Sequence, residues 1–198
     1  MTGVGGVHGA GEASGADPAD QADDADQADQ ADDADDADEV PFETVAELLD
    51  YPVLVVTTEA DGQQAGCLVG FATQVSISPA RYLVGMSEQN HTLRISARAT
   101  HVVVHVLGPE QRALAELFGG QTGDETDKLA RCSWRPGPGG APILDDVAGW
   151  FSGRILERLP LGDHVGLLLE PGAGRVLQSG TGVLSLNDVR GIRPAHPA

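Results

Sequence analysis

Four histidines and two cysteines lie in the central part of the sequence, and side chains of these types most often carry acid–base, nucleophilic or metal chemistry. They are His91, His101, His105, His164, Cys67 and Cys132. Neither cysteine lies in a recognisable nucleophile motif, and no GxSxG sequence occurs. His101 and His105 are four residues apart in a strand-like stretch, so they lie about 13 Å apart along a strand and would not easily share an ion. The sequence therefore predicts no metal site and no catalytic dyad.

Two histidines follow polar turns. His164 comes directly after Leu161-Gly162-Asp163 and begins a strand, so it is either a surface turn residue or a polar group placed over a ligand. Asn90-His91-Thr92 offers a similar choice. It either supports its own backbone through side-chain hydrogen bonds or forms a polar pocket for a phosphate, with Arg94 nearby.

Residues 65–86 are interpreted as two adjacent strands joined at Ser78-Pro79-Ala80. Gly66 and Gly70 interrupt the first half, and a glycine inside a strand marks a bulge or the close approach of another group. We expect a ligand to approach at this point. The segment offers backbone amides, one aromatic face and two polar side chains, which favours a binding lip over a catalytic cluster. The lip residues are Leu68, Val69, Gly70, Phe71, Ala72, Thr73 and Gln74.

The elements that must position these residues are mostly strands. Apolar spacing predicts helices over residues 41–49, near 93–97 and over 109–118. β-Branched or alternating runs predict strands over 53–58, 81–86 and 101–107, a hairpin of 147–159 with 163–170, and a last strand at 183–186. Residues 121–140 form a long loop, with partial helix near 124–132, that is a candidate lid or dimer contact. Six or seven antiparallel strands with short helices predict a mainly β protein, an antiparallel β-barrel.

The first 39 residues differ in composition from the rest. They contain no Lys, Arg, Phe, Trp or Tyr but 13 of the 30 acidic residues, and so carry most of the net charge of −18. Such a segment lacks the apolar area to offset chain entropy, which predicts a disordered, solvating tail. The sequence shows no secretory signal and no apolar segment of membrane-spanning length. We therefore expect a cytoplasmic protein with reduced thiols, without a nucleic-acid or membrane partner.

Taken in order, several short motifs resemble the flavin reductase-like family, whose fold is the FMN-binding split barrel. The resemblance covers about residues 53–170. Its carriers are VLVVTTEADGQQAG, residues 73–79, Asn90-His91-Thr92, HVVVHVL, LAELFGG, Trp134 followed by residues 140–144, and Gly162-Asp163-His164. It implies a domain over residues 40–190, between the tail at 1–39 and a C-terminal tail at 191–198.

The resemblance also implies a function. The chain is expected to be an NAD(P)H-dependent FMN reductase, with FAD as a second flavin, NADH or NADPH as co-substrate, a homodimeric assembly and a flavin-dependent monooxygenase as partner. The lip at residues 68–74 would line the flavin ring, residues 90–92 would hold its phosphate, and His164 would be the catalytic residue at the mouth of the site. This sequence departs from the family in having Leu68-Val69-Gly70-Phe71 where Thr-Ala-Ser-Ser is typical. The alternatives are a flavin carrier or sensor without turnover, and a haem protein with His91, His101 or His105 as axial ligand.

Overall fold

The computed structural model describes residues 39–180 and 182–193, so the expected tails lie largely outside the described residues. Contacts divide the chain after Phe42, and all of the strands belong to the second unit. The strands are β1 Leu54–Ala60, β2 Gln63–Val69, β3 Ala72–Ile77, β4 Ala80–Ser87, β5 His101–Val106, β6 Trp134–Pro136, β7 Pro142–Leu144, β8 Gly149–Pro160 and β9 His164–Val176. The α-helices are α1 Phe42–Ala46, α2 His91–Ser96 and α3 Arg112–Gly119. Short 3₁₀ turns lie at Pro109–Gln111, Leu129–Arg131, Pro138–Gly140 and Asn187–Val189.

Seven strands form one antiparallel sheet in the order β2-β1-β5-β8-β9-β4-β3. Its two edge strands, β2 and β3, are consecutive in the chain and separated only by Gly70 and Phe71. Two edges joined by so short a link must meet at that end, so the sheet curls round and closes there. The backbone N–H of Gly85 in β4 donates to the carbonyl of Phe71 at 2.6 Å, which extends the β3–β4 pairing into the link. The predicted mainly β, antiparallel split barrel is confirmed.

Alternation along the strands divides the core into two clusters. In β1, Leu54 and Val56 face the barrel interior, whereas Val55 faces the layer that includes Phe118 of α3. The interior is filled from β2, β4, β5 and β9 by Cys67, Val69, Val84, Met86, Val102, Val104, Leu167 and Leu169. The hairpin between β1 and β2 turns at Asp61 and Gly62, both with positive φ, as the Asp-Gly pair predicts.

The interpretation of residues 65–86 as two strands is wrong in its first half. The turn after Ile77 joins two paired strands, β3 and β4, as predicted. The preceding stretch, however, is split at Gly70 and Phe71 into β2 and β3, which lie on opposite edges of the sheet. The physical reason is that the link at Gly70 and Phe71 carries the chain from one edge of the closing sheet to the other.

Two further local predictions need correction, and one small sheet was missed. Residues 183–186 form no strand, because only Ser185 makes a bridge, to Pro52. The partial helix predicted near 124–132 is reduced to the 3₁₀ turn Leu129–Arg131. The same loop contains the small β6–β7 sheet, which begins at Trp134 and which sequence patterns missed because its strands are only three residues long.

The helix predicted over residues 41–49 exists only as α1 and buries none of its residues. Leu48 and Leu49 lie beyond its end and are 81% and 47% exposed. Their apolar spacing therefore does not reflect packing within the described chain. The longest α-helix in the described part of the chain, α3, has eight residues, and no helix there is long and apolar enough to cross a membrane.

Candidate functional site

Three stretches that are far apart in the sequence meet at the end of the barrel where the sheet closes. Ser87, the last residue of β4, pairs with His164, the first residue of β9. The next backbone N–H, of Glu88, donates to the carbonyl of Asp163 at 3.0 Å. The ring of Phe71 lies edge to face against the His164 ring, with centroids 5.1 Å apart and planes at 68°. The β2–β3 link, the turn after β4 and the start of β9 thus form one site.

The lip of this site is open. Phe71 is 60% exposed, and a Cβ added at Gly70 would meet only Leu186, at 3.9 Å. Beneath the lip a Cβ added at Gly85 would lie 3.1 Å from the Cβ of Phe71. The glycine at position 85 therefore allows the lip to lie close against β4, and this role was not recognised from the sequence.

The predicted lip residues divide into two groups. Val69 is buried in the barrel interior, and Leu68 is partly buried against the outer cluster and α3. Their side chains belong to the core, and only their backbone is available to a ligand. Thr73 and Gln74 are exposed on β3, and Ala72 is half-buried. Because β3 is an edge strand, one row of its backbone groups has no ladder partner among the described residues.

His164 is oriented by its neighbour. Its Nδ1 donates to Oδ1 of Asp163 at 2.8 Å, and the His164 side chain is only 19% exposed. This hydrogen bond lowers the pKa of the Asp163 carboxyl. A donor bond at Nδ1 directs the other ring nitrogen, Nε2, to act as the acceptor in the neutral imidazole.

The turn at Asn90-His91-Thr92 begins α2. Asn90 is the N-cap, and its side-chain oxygen accepts a hydrogen bond from the backbone N–H of Thr92 at 2.8 Å. Asn90 and Thr92 are both buried, and the hydrogen bond between them supports the local backbone as the first alternative predicted. His91 alone of the three projects to the surface, where its side chain is 26% exposed.

His91 belongs to an ionic cluster that the sequence did not predict. Its Nδ1 lies 2.8 Å from Oδ1 of Asp124, and Nη2 of Arg94 donates to both oxygens of Asp124 at 2.6 and 2.7 Å. The hydrogen bonds from Arg94 and then His91 lower the pKa of Asp124 to about 2. Asp124 is therefore a carboxylate at every physiological pH.

A cleft of about 550 Å³ lies between β2 and residues 123–130, with His91 and Trp134 in its lining. Lys128 also lines it and is only 6% exposed. Its Nζ donates to the carbonyls of Gly66 and Phe118 at 3.1 and 3.0 Å, and burial lowers the pKa of the amine. A single lysine in Asp127-Lys128-Leu129 carried no sequence signal for this position.

The other reactive side chains have structural surroundings. His105 is fully buried between strands; its Nδ1 donates to the carbonyl of Val55 at 2.9 Å and its Nε2 accepts from the N–H of Leu144 at 3.0 Å. Burial lowers the pKa of His105 to about 4, so it is neutral, and it has no nitrogen left for an axial ligand role. Burial raises the pKa of both thiols, Cys67 and Cys132. The described residues include no group of three or more His, Cys, Asp or Glu that could hold a metal ion.

Comparison with known proteins relates this geometry to one family. The chain is 33% identical over 122 residues to an FMN reductase (NADH) RutF of Ancylobacter novellus, covering 60% of this chain and 65% of that protein. It is 28% identical over 117 residues to the reductase component of a flavin-dependent trigonelline monooxygenase of Acinetobacter baylyi, covering 59% and 37%. The chain therefore spans less than two thirds of the length of these curated relatives.

A solved structure also resembles this fold. The flavin reductase domain protein from Arthrobacter sp. FB24 superposes with a TM-score of 0.65 at 26% identity, covering 74% of this chain and 91% of that chain. The family model described as "Flavin reductase like domain" matches residues 46–188, which include the lip, the turn before α2, the cleft and His164. On the extent of this match, the chain belongs to the flavin reductase-like domain family.

Proposed function

We propose that the protein is an NAD(P)H-dependent flavin reductase that transfers a hydride from reduced nicotinamide to FMN. The observation that carries the proposal is the open lip, where Phe71 and His164 pack together beside the unpaired row of β3. The lip lies within the part of the chain that matches the family. The relatives from Ancylobacter novellus and Acinetobacter baylyi are an FMN reductase (NADH) and a reductase component, which supports the same activity.

The residues present fit a flavin. Its ring system is planar, largely apolar and edged with hydrogen-bonding groups, and the lip presents matching features: an exposed aromatic ring at Phe71, open space at Gly70 and free backbone groups along β3. The hydroxyl side chains typical of the family are replaced by Leu68, Gly70 and Phe71, and the side chains of Leu68 and Val69 point into the core. The grip on the ring then comes from the backbone and from Phe71, Thr73 and Gln74.

When bound, the flavin itself supplies the hydride-accepting chemistry. The protein's task is to bind and orient, which agrees with the inert surroundings of Cys67, Cys132 and His105. In this proposal His164, held by Asp163, places its Nε2 at the mouth of the site as the positioning contact to flavin or nicotinamide. The turn at Asn90, His91 and Thr92 would hold the flavin phosphate. FAD is the alternative flavin, and either NADH or NADPH is the donor.

The proposed partner of the protein is also supported by a relative. The relative named as a reductase component of a monooxygenase supports a flavin-dependent monooxygenase as the acceptor of reduced flavin. A homodimer, a cytoplasmic location, and domain limits at 40 and 190 remain predictions from the sequence.

The test is nicotinamide oxidation by the purified full chain. NADH or NADPH mixed with FMN and catalytic amounts of protein should lose its absorbance at about 340 nm, a property of the reduced nicotinamide. Absence of oxidation with both donors, with FMN and with FAD, would refute the activity.

A flavin carrier without turnover is the second candidate, and the replacement of the hydroxyl residues by Leu68, Gly70 and Phe71 favours it. The two candidates differ in colour and turnover. A yellow protein that dithionite bleaches and that neither NADH nor NADPH reduces would establish the carrier.

A further inference from the structure

The carboxylate of Asp124 is held as an external anion would be. Arg94 donates from one nitrogen to both of its oxygens, His91 lies 2.8 Å from Oδ1, and Thr122 Oγ1 lies 3.3 Å from Oδ2. A guanidinium close to both oxygens of an anionic group is also how arginine binds phosphate. Arg94 and His91, which lie at the turn that the proposed function assigns to a ligand phosphate, are therefore already occupied by a group of the chain itself.

We propose that Asp124 is an internal competitor for the ligand's phosphate, so that a phosphorylated flavin binds only by displacing this carboxylate from Arg94 and His91. The inference rests on the proposed function, because it concerns the same site. Asp124 then acts as a specificity-determining residue. It weakens the hold on FMN, leaves the hold on the unphosphorylated ring unchanged, and favours release of the flavin to a partner.

The contact between Asp124 and Arg94 is one that another anion can displace. Asp124 and Arg94 have side chains about half exposed, at 51% and 50%, so solvent and salt screen their attraction. A phosphate dianion carries more charge than the carboxylate and takes the same donors. With a pKa of about 2, Asp124 is not protonated at neutral pH, so Arg94 and His91 are freed by exchange with another anion.

The contact of Asp124 with Arg94 and His91 borders the cleft. Gly123 lies against His91, and a Cβ added there would be 2.9 Å from Cδ2 of the ring. Gly123, Asp124 and His91 all line the 550 Å³ cleft. The Asp124 carboxylate that the ligand would displace thus lies at the edge of this cleft.

The experiment compares Asp124→Asn with the wild-type chain. Dissociation constants for FMN and for riboflavin, which lacks the phosphate, are measured from flavin fluorescence at one fixed ionic strength. Asp124→Asn should bind FMN about two- to fivefold more tightly, the range that one exposed ion pair contributes. Its affinity for riboflavin should not change.

The matched control is Glu116→Gln, which removes one charge from another exposed arginine pair, with Arg112 at 3.1 Å on α3. It should change neither affinity. Unchanged or weaker FMN binding by Asp124→Asn would overturn the proposal, since Asp124 would then be inert or would serve to hold Arg94 and His91 in place. An equal gain for FMN and riboflavin would also overturn it.

Failure of the proposed function gives a different result, in which neither flavin binds either protein. Inorganic phosphate then decides the matter, with the melting temperature as readout. Phosphate should raise the melting temperature of Asp124→Asn more than that of the wild type or Glu116→Gln. Equal shifts in all three proteins would overturn the competitor role independently of any flavin.

Discussion

The outer core cluster around His105 and the lip around His164 use the same kind of side chain in opposite ways. His105 is the fifth of the six residues of β5, and both of its ring nitrogens are bonded to backbone groups of neighbouring segments. His164 lies at the first position of β9, bonded on one side to Asp163 and packed against the exposed ring of Phe71. The surroundings account for the difference, because the segment that carries Leu144 covers the His105 side chain, whereas His164 lies at the rim beside the open lip.

The comparison separates stability from function. A histidine whose hydrogen bonds are all internal contributes to the folded state and has nothing left to offer a ligand. A histidine with one internal bond is oriented and keeps a ring nitrogen for a ligand. Substitutions at the two positions should therefore affect different measurements.

The largest effect is expected from His105→Leu. It leaves the carbonyl of Val55 and the N–H of Leu144 without partners in the core, at about 1–3 kcal/mol each. The free energy of unfolding, measured with urea, should fall by about 2–5 kcal/mol. His101→Leu, on the same strand but only half-buried, should cost less than about 1 kcal/mol. Similar losses in the two variants would show that the buried hydrogen bonds do not stabilise the fold.

The stability of the fold should fall in acid because of the same buried histidine. The pKa of His105 is about 4 in the folded state against an ordinary value of 6.5. Between these two pH values the unfolded state binds a proton that the folded state does not bind. Stability from this group is thus fully present above pH 6.5 and is lost as pH falls towards 4, by about 3 kcal/mol. Urea denaturation at several pH values measures the loss. A decline of the same steepness in His105→Leu would contradict this assignment.

At the lip, His164→Ala should lower turnover by about 10- to 100-fold, the range of one or two positioning hydrogen bonds at about 1.4 kcal/mol per tenfold. The melting temperature should change little, since this residue lies at a strand end. Asp163→Asn should have a smaller effect, because it weakens only the orientation of the ring. Wild-type rates for His164→Ala with every donor and flavin would make His164 a simple turn residue.

Gly85→Ala should have the smallest effect. The new methyl group would lie 3.1 Å from the Cβ of Phe71, so the lip must shift by a few tenths of an ångström. We expect a loss of about 1 kcal/mol in stability and weaker flavin binding in a fluorescence titration. Gly70→Ala, which meets nothing closer than 3.9 Å, is the control for stability. An equal stability loss at both glycines would remove the special role of position 85.

Local features of the chain were predictable because they depend on neighbours in the sequence. Asp61 and Gly62 adopt the positive φ values that a tight hairpin requires, and the β-branched, apolar run at residues 53–58 predicted β1. The glycine pair at Gly119 and Gly120 ends α3 as predicted. The order of motifs also predicted the family, which the match over residues 46–188 confirms.

Contacts between distant residues were decided only by the tertiary structure. Gly70 and Phe71 look like the middle of a strand, yet they join opposite edges of the sheet, because barrel closure depends on the order of all seven strands. The ion pair of Arg94 with Asp124 spans 30 residues, and the hydrogen bond of Lys128 to Gly66 spans 62. The sequence by itself thus determined most of the elements, the family and the side chains available for a site. Which of those side chains are buried, and which face the ligand, followed from strand order and burial, which no local pattern encodes.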